Sequence, residues 1–348
     1  MNQNNVSSLD SSRQISTEQL RAGVIGGGNI AERAHLPAYT EHKKVDLVGI
    51  ADPDEERRSY LESKFSGLAT YRDGSQLIDS GDLDLVSICS PPSTHKKYFI
   101  QAANNNCHIF CEKPLALTPT EAQRMVEAAQ QSGIVTLLGY AYQFMSNFTR
   151  VIEMVDAGLL GDIVEAHTTI FSSPPVAGWY FDPDVSGGGV VKDKCPHIFD
   201  FYHTIFDIQP RVTSAELRFK NTTSVEDIAT IGLNYEGIDV NVSVGWTHDR
   251  WYHLNELVGT DGILRFNDER LQGNVRGHKL QYKNGELPRL QLGPLYQLWG
   301  RTEDNYERRR LNHFITHCIN GDDETYAPVT QGLAITQTIE DVYDAGSS

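Results

Sequence analysis

Three stretches of the chain carry residue types that could do chemistry together. The first is Gly26-Gly27-Gly28-Asn29-Ile30-Ala31, a G-x-G-x-x-A spacing. Glycines so placed let a backbone turn tightly against a pyrophosphate, and free N–H groups at a helix start bind the anion. The second is Glu112-Lys113-Pro114, where the apolar run His108-Ile109-Phe110-Cys111 stops at a charged pair and a proline. The third is Gly187-Gly188-Gly189, followed by Asp193-Lys194-Cys195-Pro196-His197 and then Asp200. Histidine titrates near neutrality and can take a hydroxyl proton, while an ammonium can hold the alkoxide that develops. Brought into one cleft, such groups suit oxidation of a secondary alcohol, which loses a proton together with a hydride. Taken singly, each has a plainer explanation: a chance glycine run, a solvated Glu-Lys turn, a structural histidine.

The neighbouring elements favour the joint reading. Arg21–Ile25 reads as a short buried strand before the glycines, and a helix runs from them to about Tyr39. A second strand over Val45–Ile50 leads to Asp52, 21 residues past Ala31, where a carboxylate accepts hydrogen bonds from an adenosine ribose 2′-hydroxyl. An acidic residue there repels a 2′-phosphate, so NAD is expected; Arg57 and Arg58, one turn on, keep NADP possible. Further strands are predicted over Asp84–Cys89, up to Lys113, and over Ile134–Gly139. The loop Ser90-Pro91-Pro92-Ser93-Thr94-His95 should offer Ser93 or Thr94 as a helix cap, and Thr118-Pro119-Thr120-Glu121 is a capping box. Strand–helix alternation to about residue 142 predicts an α/β dinucleotide-binding Rossmann domain over 21–142, built on a doubly wound parallel sheet. Ligands of such sheets sit beyond the strand ends, within reach of Lys113.

From residue 143 the pattern changes. A helix over Ser146–Ala157 leads to strands of period two, clearest over Ile238–Trp246, and to a hairpin pairing Leu254–Val258 with Ile263–Phe266 through an Asp-Gly turn. Helices return over Asn305–Asn320 and Thr330–Ala345. The expectation is an α+β domain over 143–348 for substrate binding and oligomerisation, with a large, mainly antiparallel sheet open on one face. Thr169, Ser243 and Trp246 on that face would join a homodimer or homotetramer. Pro196 fits the first position of a helix, which would put His197 in its first turn, with Asp200 on the same face to orient the ring. Residues 1–20, rich in Asn, Ser and Gln, read as a disordered tail. A net charge of −16 opposes nucleic acid and anionic membranes, and no apolar run is long enough to span a bilayer. Five cysteines without Cys-x-x-Cys spacing suit reduced thiols in a cytoplasmic protein, and no metal site is expected.

With these motifs in order, the chain from about Arg21 to its C-terminus resembles the Gfo/Idh/MocA oxidoreductases, which act largely on sugars, inositols and their derivatives. His35-Leu36-Pro37-Ala38, Leu160-Gly161-Asp162-Ile163 and a last helix ending near Tyr343 belong to the same likeness. The resemblance implies that Lys113 is the active-site lysine. It implies that Asp193 and His197 are the aspartate and histidine of a D-x-x-x-H pattern, with the histidine as proton acceptor. Pro91, Pro92 and His95 match the loop beside the nicotinamide, and Glu112 would position Lys113 near the cofactor. Two departures stand out, Lys194-Cys195-Pro196 and Tyr140-Ala141-Tyr142-Gln143-Phe144, and both suggest a differently tuned pocket. Trp179-Tyr180 could wall a carbohydrate site, and Lys194 either reaches a substrate carboxylate or phosphate or lies in solvent. Two alternatives stay open: an NAD-retaining hydrolase, eliminase or epimerase of a sugar derivative, and a non-catalytic dinucleotide-binding regulator.

Overall fold

The structure, a computed structural model, describes residues 19–347 apart from 81–82, 177, 248 and 284–304. Residues 1–18 of the expected tail lie outside the described residues. Six strands form the first sheet: β1 (Leu20–Ile25), β2 (Val45–Ala51), β3 (Ala69–Tyr71), β4 (Leu85–Ile88), β5 (His108–Cys111) and β6 (Thr136–Leu138). Their order is β3-β2-β1-β4-β5-β6, and every neighbouring pair is parallel. The order reverses between β1 and β4, which opens a crevice at their carboxyl ends. Strand β1 starts one residue earlier than expected, because Leu20 pairs with Val45.

The helices of this half are α1 (Leu36–Glu41), which continues a wider turn over Ala31–His35, α2 (Glu55–Lys64), α3 (Gly74–Asp79), α4 (His95–Asn104) and α5 (Pro119–Ser132). Local chemistry sets α5. Thr118 Oγ1 accepts the Glu121 N–H, Pro119 opens the helix, and Gly133 closes it at φ 61°. The cap expected before α4 is not made: Thr94 already lies in helical conformation, and its hydroxyl donates back to the Pro91 carbonyl. Helices on both faces bury the sheet, so Ala22, Val24, Leu85, Val86 and Ile109 are fully enclosed.

The second half adds α6 (Ser146–Asp156), β7 (Ile163–Phe171), α7 (Pro183–Ser186), α8 (Val190–Phe206), β8 (Arg211–Arg218), β9 (Ile228–Tyr235) and β10 (Ile238–Gly245). After these come β11 (Tyr252–Gly259), β12 (Gly262–Phe266), β13 (Arg270–Val275), β14 (His278–Lys283), α9 (Tyr306–Asn320) and α10 (Val329–Gly346). The eight strands run β14-β13-β12-β11-β7-β10-β9-β8, antiparallel except between β7 and β10. On β10, Val240, Val242 and Val244 are buried while Asp239 and Asn241 face out, as the period-two pattern requires. Helix α10 packs against both β8 and α5, so the C-terminal end of the chain joins the two sheets.

Two expectations for this half fail. Trp246 is not on the open face: it is 1% exposed and lies edge-on to Tyr180 and Phe181. Its N–H donates inward to Asp193. Nor does Pro196 open a helix. Helix α8 begins at Val190, six residues earlier, because the buried Glu226 carboxylate accepts the N–H groups of Gly189 and Val191. A distant carboxylate thus satisfies the orphan donors of the first turn. Pro196 sits inside the helix.

Candidate active site

The glycine turn follows β1. Gly26 adopts φ 92°, and a Cβ there would lie 2.6 Å from the Ser90 nitrogen, so no other residue fits without a shift of the neighbouring loop. Gly28 has nothing within 4 Å of the same position, which leaves its backbone open to the crevice. Asp52, just past β2, accepts the N–H of Gly27 at 2.7 Å and of Asp54 at 2.9 Å. These residues border a cleft of about 780 Å³, with Gly26, Gly28, Asn29, Ile30, Asp52 and Pro91 in its wall and Trp179 and Tyr180 across from them. That volume and an accessible glycine backbone fit a dinucleotide. Arg57 donates to Gly27 O and pairs with Glu32, while Arg58 donates to the Asp52 and Pro53 carbonyls. Sequence reasoning missed Arg33 and Arg72 in the same wall. Only the folded crevice brings them there.

Pro92 and His95 do not line this cleft. Pro92 is buried at the start of a short turn, and the His95 ring stands between the carbonyls of Pro114 (2.9 Å) and Ser90 (2.8 Å). It ties the proline loop to the segment after Lys113. Glu112 is also set back. It meets His35 and Arg310 at 3.2 Å each, and a Cβ on Gly139 would collide with it. Burial pushes the Glu112 carboxyl up, but Arg310 and His35 outweigh it and hold the group ionised. Arg310, on α9, also donates to the Gly139 carbonyl.

Lys113 leaves the end of β5 and crosses to α8. Its ammonium donates to the Asp193 carbonyl and to Asp193 Oδ1, each at 2.8 Å. Asp193 Oδ2 accepts from Lys194 at 3.0 Å and from the Trp246 indole at 3.2 Å. Burial alone would raise the Asp193 carboxyl and lower the Lys113 ammonium; the ion pair reverses both, so each is held in its charged form. His197 follows Asp193 by four residues on the same helix face. Burial, then the nearby Lys113 charge, hold its imidazole well below the usual range, so it is neutral at pH 7. Its Nδ1 accepts the Ala141 N–H at 3.3 Å, and Tyr140 and Tyr142 flank the ring. The tyrosine-rich departure at 140–144 is therefore the wall around His197.

Asp200 does not orient that ring. Its Oδ1 accepts from Gln143 (3.0 Å) and Gln331 (2.6 Å), and burial raises the carboxyl to about 8. Lys194, besides Asp193, stands 5.2 Å over the Trp251 ring. Trp179 stacks on Tyr180 at 3.8 Å, and Tyr180 lies edge-on to Trp246. Trp246, Glu226 and Arg310 hold the site together, yet no local sequence signal marks them: each acts on residues dozens of positions away.

This chain belongs to the Gfo/Idh/MocA oxidoreductases. Residues 20–140 match the oxidoreductase family with an NAD-binding Rossmann fold, and residues 148–265 match the GFO/IDH/MocA C-terminal domain. The chain is 28% identical to the D-glucoside 3-dehydrogenase of Escherichia coli strain K12, covering 96% of this chain and 97% of that one. It is 30% identical to the myo-inositol 2-dehydrogenase of Thermotoga maritima across 52% of this chain and 53% of the other. Among solved structures, levoglucosan dehydrogenase in complex with NADH and levoglucosan superposes with a TM-score of 0.83 at 21% identity, over 95% of this chain and 98% of that one. That last likeness shows the shared fold. Among the described residues no helix is long and apolar enough to cross a membrane.

Proposed function

We propose that this protein oxidises a secondary hydroxyl of a sugar, cyclitol or sugar derivative, or reduces the matching ketone, with NAD as the hydride carrier. The observation that carries this is the Lys113–Asp193 pair at 2.8 Å, which joins the ammonium at the end of β5 to the helix of the other half that carries His197. NAD, when bound, accepts or returns the hydride. The glycine turn would hold its pyrophosphate, and Asp52 its ribose hydroxyls. Arg57 and Arg58 are engaged within the protein, which supports NAD over NADP.

The remaining chemistry belongs to the chain. Asp193 fixes the Lys113 ammonium so that it can hold the substrate oxygen as negative charge develops there. His197 takes the hydroxyl proton. Taking it at Nε2 requires the tautomer with the hydrogen on Nδ1, which gives up the long 3.3 Å contact from the Ala141 N–H. Trp179 and Tyr180 offer ring faces to the sugar, and Lys194 sets the far side of Asp193. A cytoplasmic setting and a homo-oligomer formed through the outer sheet face are part of this reading.

The test is a panel of glucosides, free sugars, inositols and uronic acids offered with NAD and with NADP, read as absorbance of the reduced cofactor. Reduction of NAD by a member of the panel, at least tenfold faster than of NADP, is expected. A preference for NADP would overturn the role given to Asp52. Turnover with no reduced cofactor released would favour the redox-assisted alternative.

A further inference from the structure

Trp251, just before β11, is 53% exposed and yet fixed on several sides. Its indole N–H bonds the Asp268 carboxylate, its ring meets His253 edge-on at 5.8 Å, and the Lys194 ammonium stands 5.2 Å over it. A tryptophan so oriented, with half its surface left open, is a prepared ring face.

Two chains of contact join it to the reaction centre. In one, Lys194 reaches Asp193 at 3.0 Å, and Asp193 reaches Lys113 at 2.8 Å. In the other, His253 stacks on Tyr142 at 5.6 Å, and Tyr142 lies 5.6 Å from the His197 ring. Trp251 is thus joined to Lys113 through two intervening side chains and to His197 through two others, and touches neither. Those intervening side chains set the indole back from Lys113 and His197. Beside Trp251 opens a separate cleft of about 330 Å³, whose wall includes Tyr252, Arg265, Asn267, Glu269 and Arg270. An aromatic face with charged and amide groups around its edge has the composition that takes a pyranose: C–H groups against the ring, hydroxyls to the polar edge.

We propose that Trp251 is the platform of a second-ring subsite, and that the substrate is a glycoside whose oxidised sugar carries a further sugar or aromatic ring. This rests on the oxidoreductase reading above. The experiment compares methyl β-D-glucopyranoside with phenyl β-D-glucopyranoside and cellobiose, on the wild type, Trp251→Ala and Trp251→Phe. Binding to the NADH-loaded protein is measured by calorimetry alongside NAD reduction. The wild type should prefer the two-ring ligands by about tenfold or more, Trp251→Ala should abolish most of that ratio, and Trp251→Phe should restore much of it. Equal affinity for one-ring and two-ring ligands, no binding of either, or an equal change on both in Trp251→Ala, overturns the subsite. So does an unchanged ratio accompanied by dissociation of an oligomer, which would make Trp251 an interface residue. If the ratio behaves as expected in binding but no substrate reduces NAD, the oxidoreductase reading fails and the subsite stands.

Discussion

Helix α8 carries two aspartates seven residues apart, Asp193 toward its N-terminal end and Asp200 further along, and their chemistry is opposite. Asp193 lies between Lys113, Lys194 and the Trp246 indole, and it is held ionised against the cost of burial. Asp200 lies between the side-chain amides of Gln143 and Gln331, and burial lifts it to about 8, so it is mostly protonated at neutral pH. Both carboxyls sit on one helix face, with His197 between them. What differs is the partner. Two ammonium groups offset desolvation of a carboxylate; two neutral amides do not. The helix thus has a charged end, turned to Lys113 and Lys194, and a neutral end, turned to Gln143 and Gln331.

The sharpest way to break this contrast is at the charged end. Replacing Lys113 with Ala removes the cation that Asp193 holds in place and that, in the proposed reaction, meets the substrate oxygen. We expect kcat/KM to fall by about 10³, the scale of losing one preorganised oxyanion donor, while NADH affinity changes by no more than about threefold. Asp193→Asn leaves the ammonium present but less firmly held, and should cost about tenfold less than Lys113→Ala. Steady-state kinetics together with NADH titration separate the two readouts. A Lys113→Ala enzyme within tenfold of the wild type would move the reaction centre elsewhere.

The neutral end is tested by stability. The folded pKa of Asp200 lies above its unfolded value of about 3.9, so its favourable contribution is complete at acidic pH and is lost as pH rises toward about 8. Asp200→Asn keeps an acceptor for Gln143 and Gln331 and cannot ionise. Relative to the wild type, it should gain about 1–3 kcal/mol at a pH near 8.5 and little near pH 4. Urea unfolding at the two pH values measures this directly. An Asn variant whose advantage is the same at both would show that Asp200 is charged throughout.

How much of this was legible in the chain follows the same division. The dinucleotide side is made of backbone: Gly26, Gly28 and the residue after β2 act through short-range geometry that leaves a fixed spacing in sequence. Lys113, Asp193 and His197 were readable by type and order, though their meeting is not local. The errors at α8 share one cause. Pro196 is a strong local signal for a helix start, but Glu226, some thirty residues on, satisfies the earlier N–H groups and moves the start to Val190. Asp200 has the right spacing to reach His197, yet Gln143 and Gln331 claim it from other elements. Trp246 keeps the period of β10, whose buried face carries Val240, Val242 and Val244, so it falls on the inner side, where it donates to Asp193. Local rules place backbone sites well; a competition for a buried carboxylate is settled by whichever donors the fold delivers.

The smallest expected effect separates the two ends most cleanly, because it reads His197 itself. The imidazole is depressed by burial first and by Lys113 next, so it stays in its proton-accepting form well below pH 6.5. The acid limb of kcat/KM should therefore lie well below the ordinary histidine range. The Asp193 charge opposes the depression, so Asp193→Asn lowers the imidazole further and moves the limb to lower pH. Asp200 is neutral across that range and is bonded to the two glutamines rather than to the ring. Its Asn variant should leave the limb where it is. Profiles of kcat/KM against pH for the three enzymes decide the matter: a limb that moved with Asp200→Asn would mean that the second carboxyl does reach the histidine, and that the partition of helix α8 into a charged and a neutral end is wrong.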